Sequence, residues 1–179
     1  MATKTFTSGE VLTAADTNTY LANSGLVYVS STTVGTAVSS VTVSSAFSST
    51  YDNYRIIYSN GSQTNADFLL LTLNNATGSS YAWGAMFYQY SASFTYTANG
   101  GATSSRVGVM GGRAQFIIDI CSPNLTGVTT FTTQNSSDSY SWNGGGYNSV
   151  SAQHTGFTLT AAAGTMTGGT ITVYGYRKA

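Results

Sequence analysis

From Leu26 to Tyr176 the chain is written in Val, Ile, Thr, Tyr and Phe, broken at short intervals by Gly, Asn and Ser and by one proline, Pro123. β-Branched and aromatic side chains suit a pleated, half-buried surface, and Gly/Asn clusters suit tight turns. No second helical segment follows Gly25, so an all-β fold is expected, an antiparallel β-sandwich (jelly roll), rather than any α/β arrangement.

In TITVYGYR, Ile171 and Val173 point one way while Thr172 and Tyr174 point the other, the pattern of a strand with one buried face. FLLLTL and QFIIDI are apolar on both faces, which predicts central strands or strands covered by a neighbouring subunit. Strands are expected near Leu26 to Ser30, Ala37 to Val43, Tyr54 to Ser59, Phe68 to Leu73, Gly84 to Tyr90 and Ser93 to Thr97. Others are expected near Arg106 to Gly108, Gln115 to Cys121, Gly127 to Thr133, Gly156 to Ala161 and Gly169 to Tyr176. Turn signals stand at Asn60-Gly61, Asn99-Gly100-Gly101, Gly111-Gly112 and Gly144-Gly145-Gly146.

Ahead of this text lies the only helical stretch. Thr7-Ser8-Gly9-Glu10 and Thr13-Ala14-Ala15-Asp16 both have the hydroxyl-x-x-acid spacing that satisfies free backbone donors at a helix start. A helix is predicted from Ala14 to about Ala22, stopped by Asn23-Ser24-Gly25. Its apolar face is thin, so it must lean on something outside itself.

Charge narrows the function classes. The net charge is zero and 7% of the 179 residues are charged, against roughly a quarter in an average protein. Phosphate binding draws on clustered Lys and Arg, and here the six basic residues are scattered except for Arg177-Lys178, so no nucleic-acid partner is expected. A chain so weakly charged tends to associate, which points to life inside an assembly. One cysteine, Cys121, excludes an internal disulfide, and its place in QFIIDIC predicts a buried thiol. No signal peptide is read, and no run approaches the roughly 18 to 20 apolar residues of a membrane span. A soluble chain made in a cytosol, with no membrane insertion, is expected.

Catalytic constellations are missing from the text. His154, the one histidine, has no nucleophile elbow near it and is expected to be structural. One His, one Cys and dispersed acids make no metal ligand set, and the six acids nominate no glycosidase pair. No glycine pair lies between a strand and a helix, where a phosphate would be cradled. The expectation is a protein that is not an enzyme and has no cofactor and no metal.

Two aromatic clusters remain. YAWGAMFYQYSASFTY, with Tyr81, Trp83, Phe87, Tyr88, Tyr90, Phe94 and Tyr96, is expected to be core or interface. SDSYSWNGGGYN reads as a loop, and in it Tyr140, Trp142 and Tyr147 are candidates for stacking on a sugar ring. Asp138, Asn143 or Asn148 would bond the sugar hydroxyls; the alternative is a loop packed on a neighbouring subunit. Arg55 is expected to pair with Asp52 or with an acid across strands, holding a sheet edge.

The opening FTSGEVLTAADTNTYLANSGLVYVSS resembles the N-terminal segment of bacteriophage tail-fibre and minor structural proteins, particularly those of marine and cyanobacterial phages. SSAFSSTYDNYRIIYSN is similar to the strand pair that opens the jelly roll in such proteins, with Tyr51, Asp52, Asn53, Tyr54 and Arg55 as the matching centre, and GGTITVYGYRKA is similar to their closing strand. From about Thr64 to Thr167 the likeness is one of style only. The resemblance implies a noncatalytic homotrimer on the virion, made in the bacterial cytoplasm, with residues 1–24 docked to capsid, neck or tail proteins and a head over 25–179. Phe6, Val11, Leu12, Tyr20 and Leu21 offer the apolar anchors for docking. Lacking a shaft, coiled coil or β-helix, the chain departs from a long adhesin. A short fibre or knob for host attachment, a capsid decoration protein, or a module for host surface glycan comes forward instead.

Overall fold

The computed structural model describes residues 5–17, 25–91 and 94–178. The chain forms β1 (Leu26–Thr33), β2 (Ser40–Val43), β3 (Asn53–Gln63), β4 (Asp67–Leu73), β5 (Tyr81–Gln89), β6 (Phe94–Ala102) and β7 (Ser105–Met110). After these come β8 (Ala114–Cys121), β9 (Thr129–Ser137), β10 (Tyr140–Asn148), β11 (Phe157–Ala161), β12 (Met166–Thr167) and β13 (Thr170–Tyr176). Every pairing is antiparallel, in a nine-stranded sheet ordered β1-β13-β3-β8-β9-β10-β5-β6, with β12 on β3, and a four-stranded sheet ordered β2-β11-β4-β7.

Set aside the β5–β6 and β9–β10 hairpins and β12, and the remaining strands alternate between the two sheets along the chain, except that β4 and β7, consecutive once the β5–β6 hairpin is removed, share one sheet. β1, β3, β8 and β13 belong to one sheet; β2, β4, β7 and β11 belong to the other. That alternation is a jelly roll. The two hairpins then extend one sheet alone by four strands, beyond the four that complete the roll.

Between the sheets, period-two patterning does what the text predicts. Tyr54, Ile56 and Tyr58 of β3, Phe116, Ile118 and Ile120 of β8 and Ile171 and Val173 of β13 are buried against Leu69, Leu71 and Leu73 of β4 and Phe157 and Leu159 of β11. Each such side chain contributes about 1.5–3 kcal/mol on leaving water. The two-faced strands β4 and β8 are both central, as FLLLTL and QFIIDI require.

Several expectations need correcting. Asn60-Gly61 is not a hairpin turn but a bulge inside β3, where the register against β8 jumps between Tyr58 and Gly61 and Asn60 has φ 58°. A Cβ on Gly61 would sit in the ring of Tyr58, whose hydroxyl donates to the Gly168 carbonyl at 3.0 Å. Asn99-Gly100-Gly101 also lies within a strand, β6, beside a register shift; Gly111-Gly112 does form the turn into β8. The strand expected from Ala37 starts only at Ser40, because Ala37 is left-handed at φ 54°. Gly144-Gly145-Gly146, in a stretch that reads as a loop, is the middle of β10.

The helix is shorter than expected: α1 spans Ala14–Asp16 alone. Its capping box is present, with Asp16 N–H donating to Thr13 Oγ1 at 3.1 Å and Thr13 N–H to Asp16 Oδ2 at 3.2 Å. Thr7 N–H donates to Glu10 Oε2 at 3.1 Å in the same way, but there no helix follows. The rest of the expected helix, with Tyr20 and Leu21, lies outside the described residues.

Candidate binding surfaces on the extended sheet

β-Strand alternation divides the predicted sugar site. Tyr140 and Trp142 turn to the inner face of β10, whereas Asn143 and Tyr147 are exposed on the outer face. Asp138 sits in the β9–β10 turn, where its Oδ2 accepts from Arg113 N–H at 3.0 Å. Asn148 is buried, its amide donating to Ser80 Oγ at 2.7 Å. Trp142 is 3% exposed and cannot meet a ligand from solvent. Its indole N–H donates to Thr133 Oγ1 at 2.9 Å, and its ring stacks on Phe87 with centroids 5.9 Å apart. The six residues therefore do not form one site.

The glycines that suggested a loop have a packing cause. A Cβ on Gly144 would lie 2.6 Å from Ala85 Cβ and 2.9 Å from Trp142 Nε1, and one on Gly146 would lie 2.9 Å from Trp83 Cβ. The tryptophans occupy the space that side chains on β10 would need.

Trp83, Trp142, Ala85 and Val109 make a second, smaller core beside the first, with Phe68, Phe87 and Tyr140 against it. Phe68 points away from the main core on β4, so the long sheet must curl past the β7 edge to reach it. Arg106 of β7 lies on this junction, its guanidinium 3.8 Å from the Phe68 ring centre and 5.0 Å from that of Trp83.

The outer face of the same end is a different surface. Register sets Tyr88 beside Phe94 and Ser141, Met86 beside Tyr96 and Asn143, and Gly84 beside Ala98 and Gly145. Met86, Tyr88, Phe94, Tyr96 and Tyr147 are all exposed, Tyr96 by 68%. Between Tyr96 and Tyr147 runs an open groove of about 480 Å³, floored by Ala82, Gly84 and Gly145. The first aromatic cluster is thus split: Tyr81, Trp83 and Phe87 go to the cores, and Tyr88, Tyr90, Phe94 and Tyr96 to the surface.

Towards the middle of this sheet the outer face carries one charge pair. Arg55 Nε and Nη2 donate to Asp119 Oδ1 and Oδ2 at 2.8 and 2.7 Å, and Tyr176 OH donates to Oδ1 at 2.7 Å. Burial alone would push the Asp119 carboxyl up, but the bonds from Arg55 and Tyr176 and the Arg55 charge outweigh it and hold it below the usual carboxylate range. The bond to Asp119 raises Arg55 in turn. Of the two partners expected for Arg55, the acid across the strands is the one found, while Asp52 pairs with Lys178 at 2.7 Å. The pair sits between interior strands, not at a sheet edge.

Cys121 corrects another expectation. Phe116, Ile118 and Ile120 take the inner positions of β8, so alternation turns Cys121 outward and exposes it. His154 is buried in the wall of the fold, with Nδ1 hydrogen-bonded to the Asn74 carbonyl. Among the described residues no group of three or more His, Cys, Asp or Glu is placed to hold a metal ion.

The residues that sequence reasoning missed are Asp67 and Arg106. No local signal marks them, since they line one hollow only through the β4–β7 pairing, which sets Asp67 opposite Met110 and Leu70 opposite Arg106. Compared with known proteins, the chain matches no family model, no curated protein and no solved structure.

Proposed function

We propose that the chain is a noncatalytic structural protein of a bacteriophage particle, a homotrimeric short fibre or knob that takes part in host attachment. One observation carries this reading: the extended end of the large sheet presents Met86, Tyr88, Phe94, Tyr96 and Tyr147 to solvent on a face with no cover. An exposed aromatic patch of this kind marks an association surface. Along the described strands of this face the charges are Arg55 and Asp119, which neutralise each other, so copies of the chain meet there without repulsion. The edge strand β6 bounds the patch and offers its free backbone groups to a neighbour.

Residues 1–24 supply the virion contact in this reading. Val11 is 79% exposed, and Phe6 and Leu12 are exposed as well, so the segment presents apolar side chains ahead of the sandwich. The jelly-roll core draws on residues from Val34 onward. A chain beginning at Gly25 is therefore expected to melt within a few degrees of the full chain yet to be absent from particles assembled in its presence. Incorporation at the full-length level, measured by immunoblot of purified particles, would contradict the docking role.

A further inference from the structure

On the side of β5 and β6 opposite the exposed tyrosines, next to β7, lies an open hollow of about 520 Å³. That volume falls within the range of small-ligand sites. Asp67 and Phe68 of β4, Trp83 of β5, Asn99 of β6, Ser104 of the following turn and Arg106 of β7 are among its walls.

Two opposite charges face this space without meeting. Arg106 is held over Phe68 and Trp83, and among the described residues it forms no ion pair. Asp67 is held from the other direction, with Oδ1 accepting from Phe68 N–H at 2.6 Å and no bond to Oδ2 among the described residues. Each is anchored by something other than its natural counter-charge. Both leave hydrogen-bonding capacity on residues that line the same hollow.

The chemistry of an occupant follows from that arrangement. A carboxylate or phosphate ligand would gain Arg106 but face Asp67, and an ammonium ligand would have the converse problem. A hydroxyl both donates and accepts, so it serves Asp67 Oδ2 as donor and Arg106 as acceptor. Asn99 and Ser104 add further donor and acceptor groups, and Trp83 and Phe68 add apolar lining. We propose that this hollow binds a neutral saccharide residue, with ring hydroxyls bridging Asp67 and Arg106. The site lies on the face of β5 and β6 away from the patch assigned to self-association. It depends on neither the oligomer nor the particle.

The test uses the full chain and its own tryptophan fluorescence, since Trp83 lines the hollow. Methyl glycosides of glucose, galactose, mannose and rhamnose are titrated one by one, with glucuronic acid as the charged comparison. At least one neutral glycoside is expected to give a saturable change below about 10 mM, a range that spans the weak millimolar affinities of single sugars. Asp67→Asn keeps the acceptor for Phe68 N–H and should leave the melting temperature unchanged while weakening binding by about tenfold or more. Arg106→Lys should weaken it similarly, because an ammonium does not reproduce the flat guanidinium over Phe68. No saturable change with any neutral glycoside, preference for glucuronic acid over glucose, or unchanged binding by Asp67→Asn would each overturn the assignment. None of these outcomes bears on incorporation of the Gly25 truncation.

Discussion

Trp142→Ala destabilises the folded protein by about 3–5 kcal/mol, the cost of emptying a packed aromatic site. The ring is one wall of the second core, with Phe68 and Phe87 each 5.9 Å away and Trp83 at 6.5 Å between centroids. Its removal also strips the Thr133 hydroxyl of its indole donor in a position that is 1% exposed. An unsatisfied buried polar group adds to the cavity cost. In a domain of this length the loss corresponds to a melting temperature lower by about 10 °C or more. Tyr147→Ala, five residues along the same strand but on the outer face, should change stability by less than about 1 kcal/mol. Urea unfolding of the two variants measures the contrast. Equal midpoints would mean that β10 does not present Trp142 inward.

Raising the pH above about 10 should unfold the protein progressively, because two buried phenols resist ionisation. Burial pushes Tyr58 and Tyr81 up from the ordinary value of 10.0 to about 12 each, although the Leu73 N–H bond to the Tyr81 oxygen works in the other direction. In the unfolded chain both release a proton near pH 10. The folded state therefore holds protons that the unfolded state has lost, and the contribution of these two phenols to stability, constant below pH 10, declines between 10 and 12. At about 1.4 kcal/mol for each pH unit, each ring accounts for about 3 kcal/mol across that window. Denaturant unfolding at stepped pH reads the slope directly, and Tyr81→Phe should remove roughly half of it. A stability that stays flat to pH 12 would contradict the burial of both hydroxyls.

Where side chains alternate strictly, the fold is legible from the text. Tyr54, Ile56 and Tyr58, or Phe116, Ile118 and Ile120, announce a strand and its inner face because only the sheet period places them together. The same alternation, carried one residue further along QFIIDIC, places Cys121 outside, against a reading from local hydrophobicity. β10 was illegible for the opposite reason. Its glycines record the absence of side chains where Trp83 and Trp142 lie across the strand, and the absence looks the same whether it makes a turn or room. Asn60-Gly61 carries a hairpin signal for similar reasons, yet the Tyr58 ring is what demands the glycine.

The candidate surfaces were legible only in part. Tyr88, Phe94 and Tyr96 stood in the sequence as aromatics for core or interface, and alternation separates the two roles once β5 is paired with β6. Asp67 and Arg106 line one hollow through strand pairing across a hairpin insertion, which no spacing rule encodes. The capping pair Thr13 and Asp16 was legible to the atom, since a hydroxyl and a carboxylate three residues apart need only one turn of backbone to meet.

The mass of the unaltered chain in solution tests the central claim most directly, because an association surface made of exposed tyrosines has to be covered by something. Sedimentation equilibrium of the full chain at micromolar concentration is predicted to give three times the mass of one chain. The double variant Tyr88→Lys, Tyr96→Lys, which puts like charges on that face, should sediment as one chain with its melting transition intact. A single-chain mass for the unaltered protein would contradict the assembly reading.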